Sequence, residues 1–159
     1  MAVLKTIAEH PCLSFVPAGE GSNQPYFVRL PAINLDHTVF FVERHTPYNG
    51  EKEHELDELL QRQHNAPFTH ADGDRPIWRL FILAHSGDDL DFFAAFIFHH
   101  AICDTRWALI FHQTFAEACT LAEAELQTSS APPNELVVTH QTALPPIESL
   151  TSLPLSPDF

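Results

Sequence analysis

The sequence predicts an α+β fold, an α/β sandwich in which helices pack on a mixed and largely antiparallel sheet. Three observations lead there. Four apolar stretches of strand length, at 26–30, 38–44, 77–84 and 90–100, are separated by turn and loop signals. Two segments, 51–65 and 105–125, carry apolar residues at helical spacing. The stretch 90–100 is apolar at consecutive rather than alternate positions, the pattern of a strand covered on both faces.

Taken in order, "QPYFVRLPAINLDHTVFFVERH" holds two apolar clusters around Pro31, and aromatic and β-branched residues make 26–30 and 38–44 strands. "PYNG" at 47–50 is a turn, because Asn-Gly tolerates positive φ. The helix at 51–65 places Leu56, Leu59, Leu60 and Gln63 toward one face, crowds acidic residues into its first turn, and stops before Pro67. "FTHADGDRP" is loop, "IWRLFILA" at 77–84 is a strand, "SGDD" is a hairpin-like turn, and "LDFFAAFIFHH" is the strand that follows. The second helix, 105–125, carries Trp107, Ile110, Phe111, Phe115, Ala118 and Leu121 or Ala122 as its apolar stripe, with Asp104 at the N-cap position. From 126 to 159 the character changes. Pro132, Pro133, Pro145, Pro146, Pro154 and Pro157 exclude a continuous helix, so this part is an extended connector or tail beside a folded unit at 1–125.

The bulk properties bound the function. At 159 residues, 45% of them hydrophobic, the chain suits one ordinary globular domain. Thirteen phenylalanines against two tyrosines point to a core of large apolar rings. Eight Lys+Arg against 21 Asp+Glu give a net charge of −13, which repels phosphate backbones and anionic lipid, so neither nucleic acid nor membrane is expected as a partner. Cys12, Cys103 and Cys119 show no CxxC spacing and fit reduced thiols in a cytoplasmic protein. No signal peptide is read in "MAVLKTIAEHPC", and the longest apolar run, Phe92 to Phe98, is too short to span a bilayer.

The chemistry concentrates at "FHHAICD", where a buried strand runs into a helix. Imidazole titrates near neutrality, so a histidine fixed at the mouth of a rigid strand can take a proton from a hydroxyl, amine or thiol. His99, His100 and Asp104 are therefore the candidate site residues. The residues alone leave three readings open: a reaction centre, a metal site, or a satisfied polar junction with Asp104 as a plain helix cap. Adjacent strand residues point to opposite faces, and the spacing matches neither HExxH nor a CxxC zinc site, so no metal is expected. The remaining histidines fall mostly in polar segments, where an exposed structural role is the default.

"FHHAICDT" resembles the HHxxxDG motif of the chloramphenicol acetyltransferase-like superfamily, which includes condensation domains and fungal alcohol acetyltransferase-like proteins. "DRPIWRLFIL" before the motif, "WALIFHQTFAEA" after it, and "ALPPIESLTSLPLS" further on are similar to the same group, so the resemblance covers most of residues 26–155. It implies the N-terminal half of that fold and an O-acyltransferase of the alcohol acetyltransferase or condensation type. By position His100 matches the general base, His99 the supporting histidine, and Asp104 a structural residue that pairs with an arginine, Arg79 or Arg29 being the candidates here. No cofactor is implied as bound. The co-substrate is an acyl-coenzyme A or phosphopantetheine thioester, and the acceptor a small alcohol or amine. Two departures stand out. Thr105 replaces the motif glycine, and the resemblance reaches only the first of two similar halves between which the substrates meet. Activity is therefore expected to need a complementary half domain. The alternative is a truncated, non-catalytic relative, serving as a binding or assembly module or arising as a gene fragment, with self-association through the uncovered face. A metal-dependent hydrolase using the histidine cluster is a weaker candidate.

Overall fold

The computed structural model describes residues 1–48, 50, 53–68, 75–85, 91–126, 136–140, 142–143, 145 and 149. Its centre is a three-stranded sheet built from β4 (Val39–Arg44), β5 (Trp78–His85) and β6 (Phe92–Phe98), in that spatial order. β4 and β5 run parallel, from Val39 opposite Leu80 to Arg44 opposite His85, and the helix α2 (His54–His64) lies between them in the chain as their crossover. β5 and β6 are antiparallel, with Trp78 opposite Phe98 and Ala84 opposite Phe92. Two small antiparallel pairs complete the strands: β1 (Phe15–Ala18) with β2 (Tyr26–Arg29), and β3 (Ala32–Asn34) with β7 (Leu136–Val138). Helix α1 (Ala2–Glu9) packs on α3 (Thr105–Leu126). The architecture is α+β, and three of the four strand pairings among the described residues are antiparallel.

The alternation of strand side chains divides the core in two. Trp78, Leu80 and Ile82 of β5 and Phe96 of β6 join Ile7, Phe111 and Phe115 on one face of the sheet. Phe81 and Leu83, with Ala95 of β6, join Leu59 of α2 on the other, and Leu56, Phe93 and Ile97 pack against them. Both faces of β6 are thus covered, which explains the unbroken apolar run in its sequence. Phe96 is the contact between sheet and α3: its ring stacks on Phe111 at 3.7 Å and 14° and lies 6.0 Å from Trp78 and from Trp107. The fully buried Trp78 is satisfied by donating its indole N–H to the Leu13 carbonyl at 2.7 Å.

The helical stripe on α3 differs from expectation at Ile110, and of the alternatives Leu121 and Ala122 it is Ala122 that faces inward. Phe111, Phe115, Ala118 and Ala122 face inward, whereas Ile110 and Leu121 are 44% and 56% exposed. Each is one residue, about 100° of helix turn, from its buried neighbour at 111 or 122. On α2 Leu59 is buried and Leu60 is exposed for the same reason. The sequence reading missed α1, β1, β3 and β7. In the expected "PYNG" turn, Gly50 has φ +85°, while Asn49 lies outside the described residues. The "SGDD" turn also lies outside them, as does most of 126–159. The part of that stretch seen as β7 is extended and tied at its end, where Thr139 donates its N–H to Pro31 at 3.1 Å and its hydroxyl to the Leu30 carbonyl. No helix among the described residues is long and apolar enough to cross a membrane.

Two histidines couple this packing to pH. His112 lies edge-on to Phe96 and Phe111, and His10 bonds Thr114 Oγ1 at 3.0 Å beside the Trp107 ring. Burial holds both imidazoles below their ordinary value of 6.5; at His10 the neighbouring Glu9 opposes the effect in part. A folded-state value below the unfolded one means the unfolded chain binds more protons, so stability falls as pH drops through that window. The thermal midpoint should decrease between about pH 7.5 and about pH 5.5. His112→Leu should flatten the decrease, as calorimetry across that range can show.

Candidate active site

The site grows from the end of the β5–β6 pairing. One step beyond Phe98, the His99 N–H still donates to the Ile77 carbonyl at 2.9 Å, extending the sheet contact past both strands. The chain then turns: Ile102 N–H donates to the His99 carbonyl at 3.1 Å, and Ala101 N–H donates to His99 Nδ1 at 3.1 Å. Accepting at Nδ1 places the proton of the neutral His99 ring on Nε2. The His100 ring meets Phe98 edge-on, with centroids 5.8 Å apart and planes at 67°. Both imidazoles are exposed, and among the described residues no hydrogen-bond partner engages the His100 ring.

His99 and His100 line one cavity of about 480 Å³. Strand alternation predicts opposite faces for adjacent residues, but it ends at Phe98, and the turn brings both rings to the same space. Pro17 and Glu20 form one wall from the β1–β2 hairpin, whose turn uses Gly19 at φ +66°, a left-handed conformation that glycine adopts freely. Gln63 and His64 come from the end of α2, Pro67 and Phe68 from the segment after it, and Ile77 and Ile97 from the sheet. Glu20, His64 and Phe68 escaped the sequence reading, which placed His64 among exposed structural histidines. No local pattern signals their convergence; it depends on where α2 and the hairpin dock.

Asp104 does something else. It stands at the N-cap of α3, and its Oδ1 accepts the Trp107 N–H at 2.8 Å while its carbonyl accepts the Ala108 N–H at 2.9 Å. The expected arginine pairing is not formed. Arg79 is occupied by Gln63 Oε1 at 3.0 Å and by the carbonyls of Ala66 and Pro67. Arg29 lies over the Phe15 ring at 5.2 Å. The nearest claim on the carboxylate is the set of N–H groups that every helix start leaves unpaired. Thr105, in the place of the motif glycine, is the first residue of α3 and needs no left-handed backbone.

The thiols near the site are not poised as nucleophiles. All three cysteines are free. Burial, with Cys12 and Asp104 nearby, pushes the Cys103 thiol up to about 12, and burial pushes Cys12 up to about 11. Thiols so shifted are poor nucleophiles near neutral pH. Among the described residues no three His, Cys, Asp or Glu side chains are grouped so as to hold a metal ion.

Sequence comparison bears on what the imidazoles serve. Over 155 residues, 95% of its length, the chain is 37% identical to a protein of Aspergillus fumigatus named "Probable alcohol acetyltransferase crmB". This chain is a relative of that protein. The resemblance to alcohol acetyltransferase-like proteins read from the sequence is matched by a likeness that runs through nearly the whole chain. The chain spans about a third of the length of this curated relative, 33%. No family model matches it.

If Asp104 acts as a cap, Asp104→Ala should cost about 1 kcal/mol and Asp104→Asn or Asp104→Ser much less. Urea denaturation of the three variants checks this; equal losses in all three would show that the negative charge is needed.

Proposed function

We propose that this chain carries the general-base half of an O-acyltransferase, built as the N-terminal half of a chloramphenicol acetyltransferase-like fold. The donor is a thioester of coenzyme A or of a phosphopantetheine arm, and the acceptor a small alcohol or amine. The observation that carries this reading is the His100 imidazole, exposed on the wall of a cavity beside a sheet end, in a relative of a probable alcohol acetyltransferase.

The reaction follows from that placement. His100 takes the proton of the acceptor hydroxyl as its oxygen attacks the thioester carbonyl carbon. The tetrahedral intermediate collapses with cleavage of the carbon–sulfur bond. The leaving thiolate takes the proton back from the imidazolium, so ester and free thiol form and the base is restored. His99, its Nδ1 committed to Ala101 N–H, supports the loop that presents His100. Asp104 serves the same end by anchoring that loop to the start of α3. Both rings are exposed, and turnover calls for further polypeptide to cover them and exclude water.

A second reading, a non-catalytic binding or assembly module, is favoured by one observation: Tyr26, Phe27 and Val28 are exposed in succession on β2, and Phe41 is 81% exposed on the edge strand β4. A strictly monomeric state by light scattering would speak against it.

Release of free thiol from acetyl-coenzyme A should be measured with a panel of primary alcohols. The chain is assayed alone and mixed with a polypeptide spanning the rest of the A. fumigatus relative. His100→Ala should reduce the rate by a factor on the order of 10² or more. Activity that survives the substitution removes His100 from the role.

A further inference from the structure

We infer that Arg79 is a positioning residue for the cavity: it holds the segment 66–68 in place so that Phe68 stands against His99 and the wall facing His100 keeps its shape. The inference deepens the acyltransferase reading and rests on it for the meaning of the cavity.

Arg79 is placed by the strand. It follows the buried Trp78, so its side chain leaves β5 on the α2 face, beside Ile97, its partner across the β5–β6 ladder. There one guanidinium addresses three acceptors. Nη1 donates to Gln63 Oε1 at 3.0 Å and approaches the Ala66 carbonyl at 3.4 Å, and Nη2 donates to the Pro67 carbonyl. Its central carbon also lies 4.5 Å from the Phe68 ring centroid. These partners include the last turn of α2 and the segment after it. Gln63, Ala66, Pro67 and Phe68 all line the cavity.

The clamp reaches the histidines through Phe68. That ring meets His99 edge-on, with centroids 6.3 Å apart and planes at 79°. His99 is thus held from two sides, by Ala101 N–H at Nδ1 and by Phe68 at the ring. His100 follows it on the same wall. Pro67 contributes no N–H, and Ala66 donates its own back to the Gln63 carbonyl at 3.1 Å, so the arginine adds ties from the sheet side. An arginine suits this task and a lysine does not. A planar fork can satisfy separate carbonyls in fixed directions while its face covers an aromatic ring, whereas an ammonium is a single point of charge on a flexible stem.

The test reads the cavity without requiring turnover. Imidazole resonances of His99 and His100 are followed by side-chain NMR in the wild-type chain and in Arg79→Lys, Phe68→Leu and the double variant, each titrated with 1-hexanol as a neutral apolar probe. Arg79→Lys should leave backbone dispersion intact, move the His99 resonance in the direction that Phe68→Leu moves it, and weaken hexanol binding about fivefold. The double variant should lose little more than either single one, because both act through the same contact. An unmoved His99 resonance with unchanged hexanol binding in Arg79→Lys overturns the inference, and so do losses that add independently in the double variant. Should Arg79→Lys fail to fold, Phe68→Leu and Gln63→Ala replace it: unmoved His99 signals in both overturn the inference. Loss of thiol release in His100→Ala is judged separately, so a failed clamp and a failed acyltransferase reading give different results.

Discussion

The antiparallel pairing of β5 with β6 is the constraint on which the rest of the structure depends. Three consecutive residues, Ile77 just before β5 and Trp78 and Arg79 at its start, turn that pairing into a site. The Ile77 carbonyl takes the His99 N–H and so carries β6 one residue beyond its last strand position. The Trp78 indole crosses the core to the Leu13 carbonyl and ties the N-terminal segment beneath the sheet. Arg79, on the opposite face, ties down the end of α2. Strand alternation makes these three ties diverge, so one short stretch fixes the histidine loop, the N-terminal packing and the cavity wall together.

The two histidines gain their common outlook from the place where regular structure stops. Had the strand continued, adjacent rings would face opposite sides of the sheet. Instead a turn from His99 to Ile102 follows, closed by one backbone bond and one bond to the His99 ring, and Asp104 then starts α3. The carboxylate of the motif is consumed locally, three residues from its partner N–H, and the cation expected to meet it is consumed at the other wall. Both assignments follow from proximity. A helix start offers unpaired donors within reach of Asp104, and the segment just after α2 offers the Ala66 and Pro67 carbonyls within reach of Arg79.

How much of this could be read from the sequence depends on how local each cause is. The strands at 39–44, 78–85 and 92–98, and α3 with its cap, announce themselves through runs of eight or fewer apolar residues and through a 3.6-residue stripe. Both-face burial of β6 was legible because no polar residue interrupts it. Helix α1 was not, since two turns with Val3 and Ile7 against the core give too short a period to recognise. β1, β3 and β7 are three or four residues long, and β3 finds its partner a hundred positions further on, a pairing that no local pattern encodes. The histidine pair was visible as a candidate site, but its surroundings were not. Glu20, His64 and Phe68 come from three separate segments, and only the docking of those segments joins them. The same limit explains Ile110, which fits an apolar stripe in the sequence yet lies beside it in the helix.

The distribution of charge bears on what the cavity can receive. Cations are scarce in this chain, eight Lys+Arg against 21 Asp+Glu. Two of those cations serve the sheet rather than the surface. Arg79 is spent at the end of the sheet where the histidines stand. At the other end Arg44 is 1% exposed, lies over the Phe93 ring at 5.0 Å, and has no hydrogen-bond partner for its guanidinium nitrogens among the described residues. The net charge of the chain remains −13. A thioester donor that carries several phosphates gains nothing from such a surface, because like charges raise the cost of approach within a screening length of about 8–10 Å. Within the acyltransferase reading, the chain therefore offers an exposed imidazole and a cavity wall, with few cations of its own to meet a phosphorylated donor.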